Sequence, residues 1–202
     1  FSVCLVGQVS PAHAQVEGHY VYYDKEGELI KGYVNKDRSI ARRWIDTTLK
    51  AIPFDSPRPT VHARNLFHLS AAMWDVFVAY KKGDGKKPYL FKEDLDFEPE
   101  NRQESLKKSL SYAAYHFLST RYSFRFVFHK PKDWEQMQPV FDNMLIEAGY
   151  DFEDNSPEAE FGRSVAERYI EYGYQDGARE KDNYDNANYR SKNEVMLPAL
   201  RG

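Results

Sequence analysis

The segment from Pro57 to Tyr80 constrains the fold most, because no glycine or proline interrupts it after Pro59. Thr60 is a favourable N-cap, so the sequence predicts a helix from Thr60 to Tyr80. At about 100° per residue, one broad and mostly apolar side is formed by Ala63, Leu66, Phe67, Ser70, Met73, Trp74, Phe77 and Val78. The opposite side also carries small apolar residues, namely Val61, Ala71, Ala72 and Ala79. A helix that is apolar nearly all round is buried, so this helix is predicted to lie at the centre of a helical domain.

Three polar residues of this helix, Arg64, His68 and Asp75, share one stripe and allow two interpretations. The first is a charged relay for catalysis. The second is structural: Asp75 and His68 satisfy each other or nearby backbone groups, and Arg64 pairs with a carboxylate on another helix. Buried polar groups need partners, and no nucleophile or metal-ligand set shares the stripe. We therefore favour the structural interpretation and assign no catalytic, cofactor-binding or metal-binding residue.

Four more helices are predicted from apolar residues at helical spacing. They run from Arg38 to about Ile52 behind Asp37, from Pro99 to about Arg121, from Lys132 to Ala148, and from Pro157 to about Tyr174. Their predicted core positions include Trp44, Leu49, Leu110, Ala113, Phe117, Trp134, Met137, Phe141, Met144, Phe161, Val165 and Tyr169. The predicted fold is all-α, a multi-helix bundle over residues 37–202 around the buried Thr60–Tyr80 helix.

The N-terminal residues predict two smaller parts. Residues 1–14 begin with the apolar run Phe1–Val6 and end in Ala12-His13-Ala14, which is typical of a partial signal peptide cleaved between Ala14 and Gln15. Residues 15–36 place aromatic and β-branched residues on both sides of Asp24–Gly27, which predicts a small β-hairpin. A signal peptide implies a secreted or periplasmic protein, and Cys4, the only cysteine, would leave with it.

Composition excludes few partner classes. The chain of 202 residues has a net charge of −3 and is 42% hydrophobic, which suits one domain with a sizeable core. The pattern predicts no nucleic-acid partner and no membrane span, and it allows a homo-oligomer. The signal peptide lacks the charged residues with which such peptides begin, and the sequence ends abruptly at Arg201-Gly202. We therefore expect the chain to be a fragment of a longer protein.

The Thr60–Tyr80 segment also resembles a known family. The run Pro59-Thr60-Val61-His62-Ala63-Arg64-Asn65-Leu66-Phe67-His68-Leu69-Ser70-Ala71-Ala72-Met73-Trp74-Asp75-Val76-Phe77-Val78-Ala79-Tyr80 is similar to the first long core helix of bacterial vanadium-dependent haloperoxidase homologues, members of the type 2 phosphatidic acid phosphatase superfamily. Further stretches agree in order: Ser109–Tyr115, Asp176–Glu180 and Tyr189–Glu194. The resemblance covers about residues 38 to 202. It implies the N-terminal helical portion of a secreted enzyme that oxidises halide with hydrogen peroxide.

The resemblance also implies a site that this chain lacks. The family binds vanadate or phosphate with Lys, six residues and Arg-Pro, with Pro-Ser-Gly-His, and with Ser-Arg, five residues, His, three residues and Asp. Here seven residues separate Lys50 from Arg58, and His129 precedes Asp133 without the Ser-Arg. Lys50 and Arg58 are expected at the surface, on either side of a turn. The resemblance thus implies a longer parent protein, of which this chain is the N-terminal part. Vanadate and the small-molecule substrate would bind in that parent, and its C-terminal catalytic half would be the partner of this chain.

Two alternative functions remain open at this stage. The parent could be an acid phosphatase-type phosphate-ester hydrolase of the same superfamily. It could instead be a non-catalytic surface protein that binds a partner through Tyr20, Tyr22, Tyr23 and Tyr33. Asp182, Asp185, Asn186 and Asn188 offer oxygen ligands for calcium, but their spacing is not that of an EF-hand, so we interpret them as a hydrogen-bonded turn.

Overall fold

A computed structural model describes residues 15–16, 19–20, 22–23, 29–30, 38–55, 57–81, 83–123, 131–185, 190 and 192. Five helices make up most of this part: α1 (Ile40–Ala51), α2 (Pro59–Tyr80), α3 (Arg102–Arg121), α4 (Pro131–Glu147) and α5 (Pro157–Gly173). Two short 3₁₀ turns, Ile52–Phe54 and Glu180–Asp182, follow α1 and α5. The prediction of a multi-helix, mainly α architecture is confirmed.

Two antiparallel pairs of two-residue strands precede the helices. Gln15–Val16 (β1) pairs with His19–Tyr20 (β2), and Tyr22–Tyr23 (β3) pairs with Leu29–Ile30 (β4). The turn Asp24–Gly27, Tyr33 and the partial signal peptide, with Ala14 of its cleavage site, lie outside the described residues. Gln15, on the other side of that site, is the first residue of β1.

The helix boundaries follow from local capping chemistry. The side chains of Ser39, Asn101 and Ser156 accept hydrogen bonds from the first free N–H groups of α1, α3 and α5. Helix α2 begins one residue earlier than predicted, with Pro59 in its first turn and no side-chain cap from Arg58. The prediction of Thr60 as its N-cap is therefore wrong, since Thr60 lies inside the helix.

The central helix is α3 rather than α2. Helix α3 packs against each of the other four helices, most extensively against α5. Gly162 of α5 allows this close approach, because a Cβ atom there would lie 2.9 Å from the backbone nitrogen of Ala113. The predicted core residues Ala113, Phe117, Met137, Phe141, Met144, Val165 and Tyr169 are all fully buried. Leu49 is the exception in α1, since its side chain is exposed.

The prediction that helix α2 is buried nearly all round is wrong for one side of the helix. Its buried side is the one with small and polar residues, which comprises Val61, Asn65, His68, Leu69, Ala72, Asp75 and Val76. On the broad, mostly apolar side, Ala63, Phe67, Ser70 and Trp74 are exposed, whereas Met73 and Val78 are buried. Small residues permit the short distance to α3 and α5, and the polar ones find partners there. Packing geometry therefore outweighs side-chain hydrophobicity in this helix.

Candidate functional site

A buried cluster of charged side chains joins α2, α3 and the segment after α5. Its members are Arg64 and His68 of α2, Arg121 of α3, and Asp176 and Glu180 from the segment that ends in the second 3₁₀ turn. We call these five residues the Arg64 cluster. Arg64, Asp176 and Glu180 all belong to stretches on which the family resemblance rests. The cluster is therefore the natural place to look for a site.

All three nitrogens of the Arg64 guanidinium donate hydrogen bonds to protein acceptors. Its Nε donates to Asp176 Oδ2 at 2.7 Å, and one terminal nitrogen donates to Glu180 Oε2 at 2.9 Å and to the Gly173 carbonyl at 2.8 Å. The other terminal nitrogen donates to the Tyr184 hydroxyl at 3.3 Å. Burial alone would lower the pKa of Arg64, but Asp176 and Glu180 outweigh it and leave the pKa raised. Arg64 is thus a fixed cation whose donors point at protein atoms.

Glu180 connects two helices through one carboxylate. Its side chain is fully buried; Oε2 accepts from Arg64, and Oε1 lies 2.9 Å from Arg121 Nε. Arg121 also donates to Asn65 Oδ1 at 3.4 Å. Burial lowers the pKa of Arg121, with the charge of Glu180 acting in the opposite direction. Two arginines face two carboxylates here, so the cluster is close to electroneutral.

The segment bearing Glu180 has three non-glycine residues in the left-handed backbone region. Arg179, Asn183 and Tyr184 all have positive φ angles, of 57°, 66° and 58°. Non-glycine residues in this left-handed region cost free energy and persist only where surrounding contacts impose them. The ring of Tyr184 lies under the guanidinium groups of both Arg58 and Arg64, at 5.3 and 5.6 Å. Ion pairs of Asp176 and Glu180 therefore join this segment to α2 and α3, and the stacking of Tyr184 on Arg64 adds a further contact with α2.

His68 is enclosed by aromatic rings. Its ring lies 5.6 to 6.4 Å from those of Phe67, Phe117, Tyr169 and Tyr172, and its Nε2 is 3.5 Å from Asp176 Oδ2. Burial, helped by the positive charges of Arg121 and Arg64, lowers the pKa of His68 to about 4. The imidazole is therefore neutral at pH 7. A neutral histidine with this enclosure fills space and completes the packing around Asp176.

Asp75 belongs to a separate site. Its carboxylate accepts hydrogen bonds from the backbone N–H groups of Tyr89, Leu90 and Phe91 at 2.6 to 2.8 Å, and from the Tyr169 hydroxyl at 2.7 Å. It therefore fixes the loop between α2 and α3 and does not pair with His68. A relay through all three polar residues would need Asp75 and His68 to interact, and they have different partners.

Of the partial matches to the family's oxyanion motifs, the structure describes the side chains of Lys50 and Arg58. Lys50 and Arg58 are both partly buried, so the prediction that they lie at the surface is wrong. Burial lowers the pKa of Lys50 to about 8, with Glu147 and Asp46 opposing this effect. Arg58 lies 3.7 Å from Asp55. His129 lies outside the described residues, and of Asp133 only the helical backbone is described.

The acidic residues of the predicted turn pair with an arginine of the same segment. Arg179 contacts both Asp182, at 3.1 Å, and Asp185, at 3.4 Å, while Asn186 and Asn188 lie outside the described residues. Across the residues that the structure describes, no three or more His, Cys, Asp or Glu side chains are grouped so that they could hold a metal ion. Within the same residues, no helix has the length and apolar character needed to cross a membrane.

Sequence reasoning did not identify Asp176 and Glu180 as partners of Arg64, or Arg121 as the second partner of Glu180. Asp176 and Glu180 could have been found, because both belong to a stretch that resembles the family. The sequence analysis predicted no contact for that stretch. Comparison of the chain with protein-family models, with curated proteins and with solved structures gives no match.

Proposed function

We propose that this chain is the N-terminal helical portion of a secreted, vanadium-dependent haloperoxidase-like enzyme, and that it serves as the scaffold for a catalytic half elsewhere in the parent. The resemblance of Pro59–Tyr80 to the core helix of that family is the starting point. In the parent, vanadate would be held by residues of the catalytic half, and peroxide would oxidise halide there.

The observation that carries the proposal is the contact between the resembling stretches. Arg64 of α2 donates hydrogen bonds to Asp176 and Glu180 of the Asp176–Glu180 stretch. Tyr80, at the end of α2, shares a 2.8 Å hydrogen bond with Ser109, the first residue of the Ser109–Tyr115 stretch. Residues far apart in the chain that resemble one family and also contact one another are expected when a common fold, and not chance composition, explains the resemblance.

A scaffold role also agrees with the charge balance of the Arg64 cluster. Binding of vanadate or phosphate needs several donors that converge on an empty space and are not already neutralised. The donors of Arg64 are directed at Asp176, Glu180, Gly173 and Tyr184. The cluster therefore holds helices together, and its residues have a positioning role at most.

The experiment that tests the proposal is to read the parent gene beyond the codon for Gly202. We expect the Lys and Arg-Pro motif, Pro-Ser-Gly-His, and the Ser-Arg, His and Asp motif in that order, and bromide oxidation by the longer protein when vanadate and peroxide are supplied. A longer protein that hydrolyses phosphate esters without vanadate would favour the phosphatase alternative. A reading frame without these motifs would refute the enzymatic proposal.

A further inference from the structure

We draw no further inference here: the strongest candidate, the recess between the loop after α2 and the N-terminal part of α5 that is lined by Glu93, Asp94, Asp96 and Glu160, is an acidic cluster in which Glu93 pairs with Arg168, and no second feature of the residues that the structure describes points to a ligand there.

Discussion

At the scale of single residues, Gly173 shows how closely the Arg64 cluster is packed. A Cβ atom at this position would lie 2.6 Å from a terminal nitrogen of Arg121 and 2.8 Å from one of Arg64. Alanine normally stabilises a helix relative to glycine by about 1 kcal/mol. Here we expect Gly173→Ala to lower the free energy of unfolding by roughly 1–3 kcal/mol, because both guanidinium groups must move.

Urea unfolding followed by circular dichroism measures this effect. Glu171→Ala, at an exposed position of the same helix end, is the control and should change the free energy of unfolding by less than about 0.5 kcal/mol. A Gly173→Ala variant that is more stable than the wild type would mean that the arginines are not held as described.

His68 gives a second prediction at this scale, on pH dependence. Its pKa is about 4 in the fold, against 6.5 for an ordinary histidine. As the pH falls from 6.5 towards 4, the unfolded chain takes up a proton that the folded chain does not, so the free energy of unfolding decreases. The loss should be on the order of 1–3 kcal/mol and complete below about pH 4.

The variant His68→Gln isolates this contribution. It should be less stable at pH 7, because the packing around Asp176 is lost, and its stability should fall less between pH 7 and pH 4.5. The pKa of Asp176 is lowered from 3.8 by Arg64 and a backbone N–H, against the effect of burial, so its stabilisation is lost only at lower pH. Equal decreases for wild type and variant would show that His68 takes up its proton in the folded state.

At the scale of secondary-structure elements, the orientation of α2 can be tested by paired substitutions. Leu69 is fully buried and Phe67 is 47% exposed, although both are large apolar residues on one helix. We expect Leu69→Ala to lower the free energy of unfolding by about 2–5 kcal/mol. Phe67→Ala should cost less than about 1 kcal/mol, since nearly half of its surface is exposed to solvent.

Thermal or urea unfolding of the two variants distinguishes the observed orientation from the one that hydrophobicity alone predicts. If Phe67→Ala were the more destabilising of the two, Phe67 would belong to the core.

At the scale of the whole molecule, the charge balance predicts that this chain alone is inactive. We expect no vanadate-dependent bromination and no phosphate-ester hydrolysis, because Arg64 and Arg121 are neutralised by Asp176 and Glu180. An assay with bromide, peroxide and added vanadate tests this. Bromination that His68→Ala abolished without unfolding the chain would make α2 a catalytic element.

The sequence by itself determined the helices. Periodicity and Pro or Gly at helix ends are local signals, so five helices and most of their core positions, such as Phe141 and Val165, could be predicted. The Ser39 and Asn101 caps were missed, because the sequence favoured Asp37 as the cap of α1 and Pro99 as the start of α3. The same local signals do not say how closely two helices approach. They therefore predicted neither the central position of α3 nor the outward direction of Phe67 and Trp74.

Only the tertiary structure decided the partners of the polar residues. Arg64 and Glu180 are separated by 116 positions in the chain, and helical periodicity carries no information over that distance. The three residues placed on one stripe are divided between two sites, because Asp75 lies against the backbone of residues 89–91 while Arg64 and His68 lie against Asp176. A helix surface fixes which side chains are neighbours, but the elements packed against it determine which of them interact.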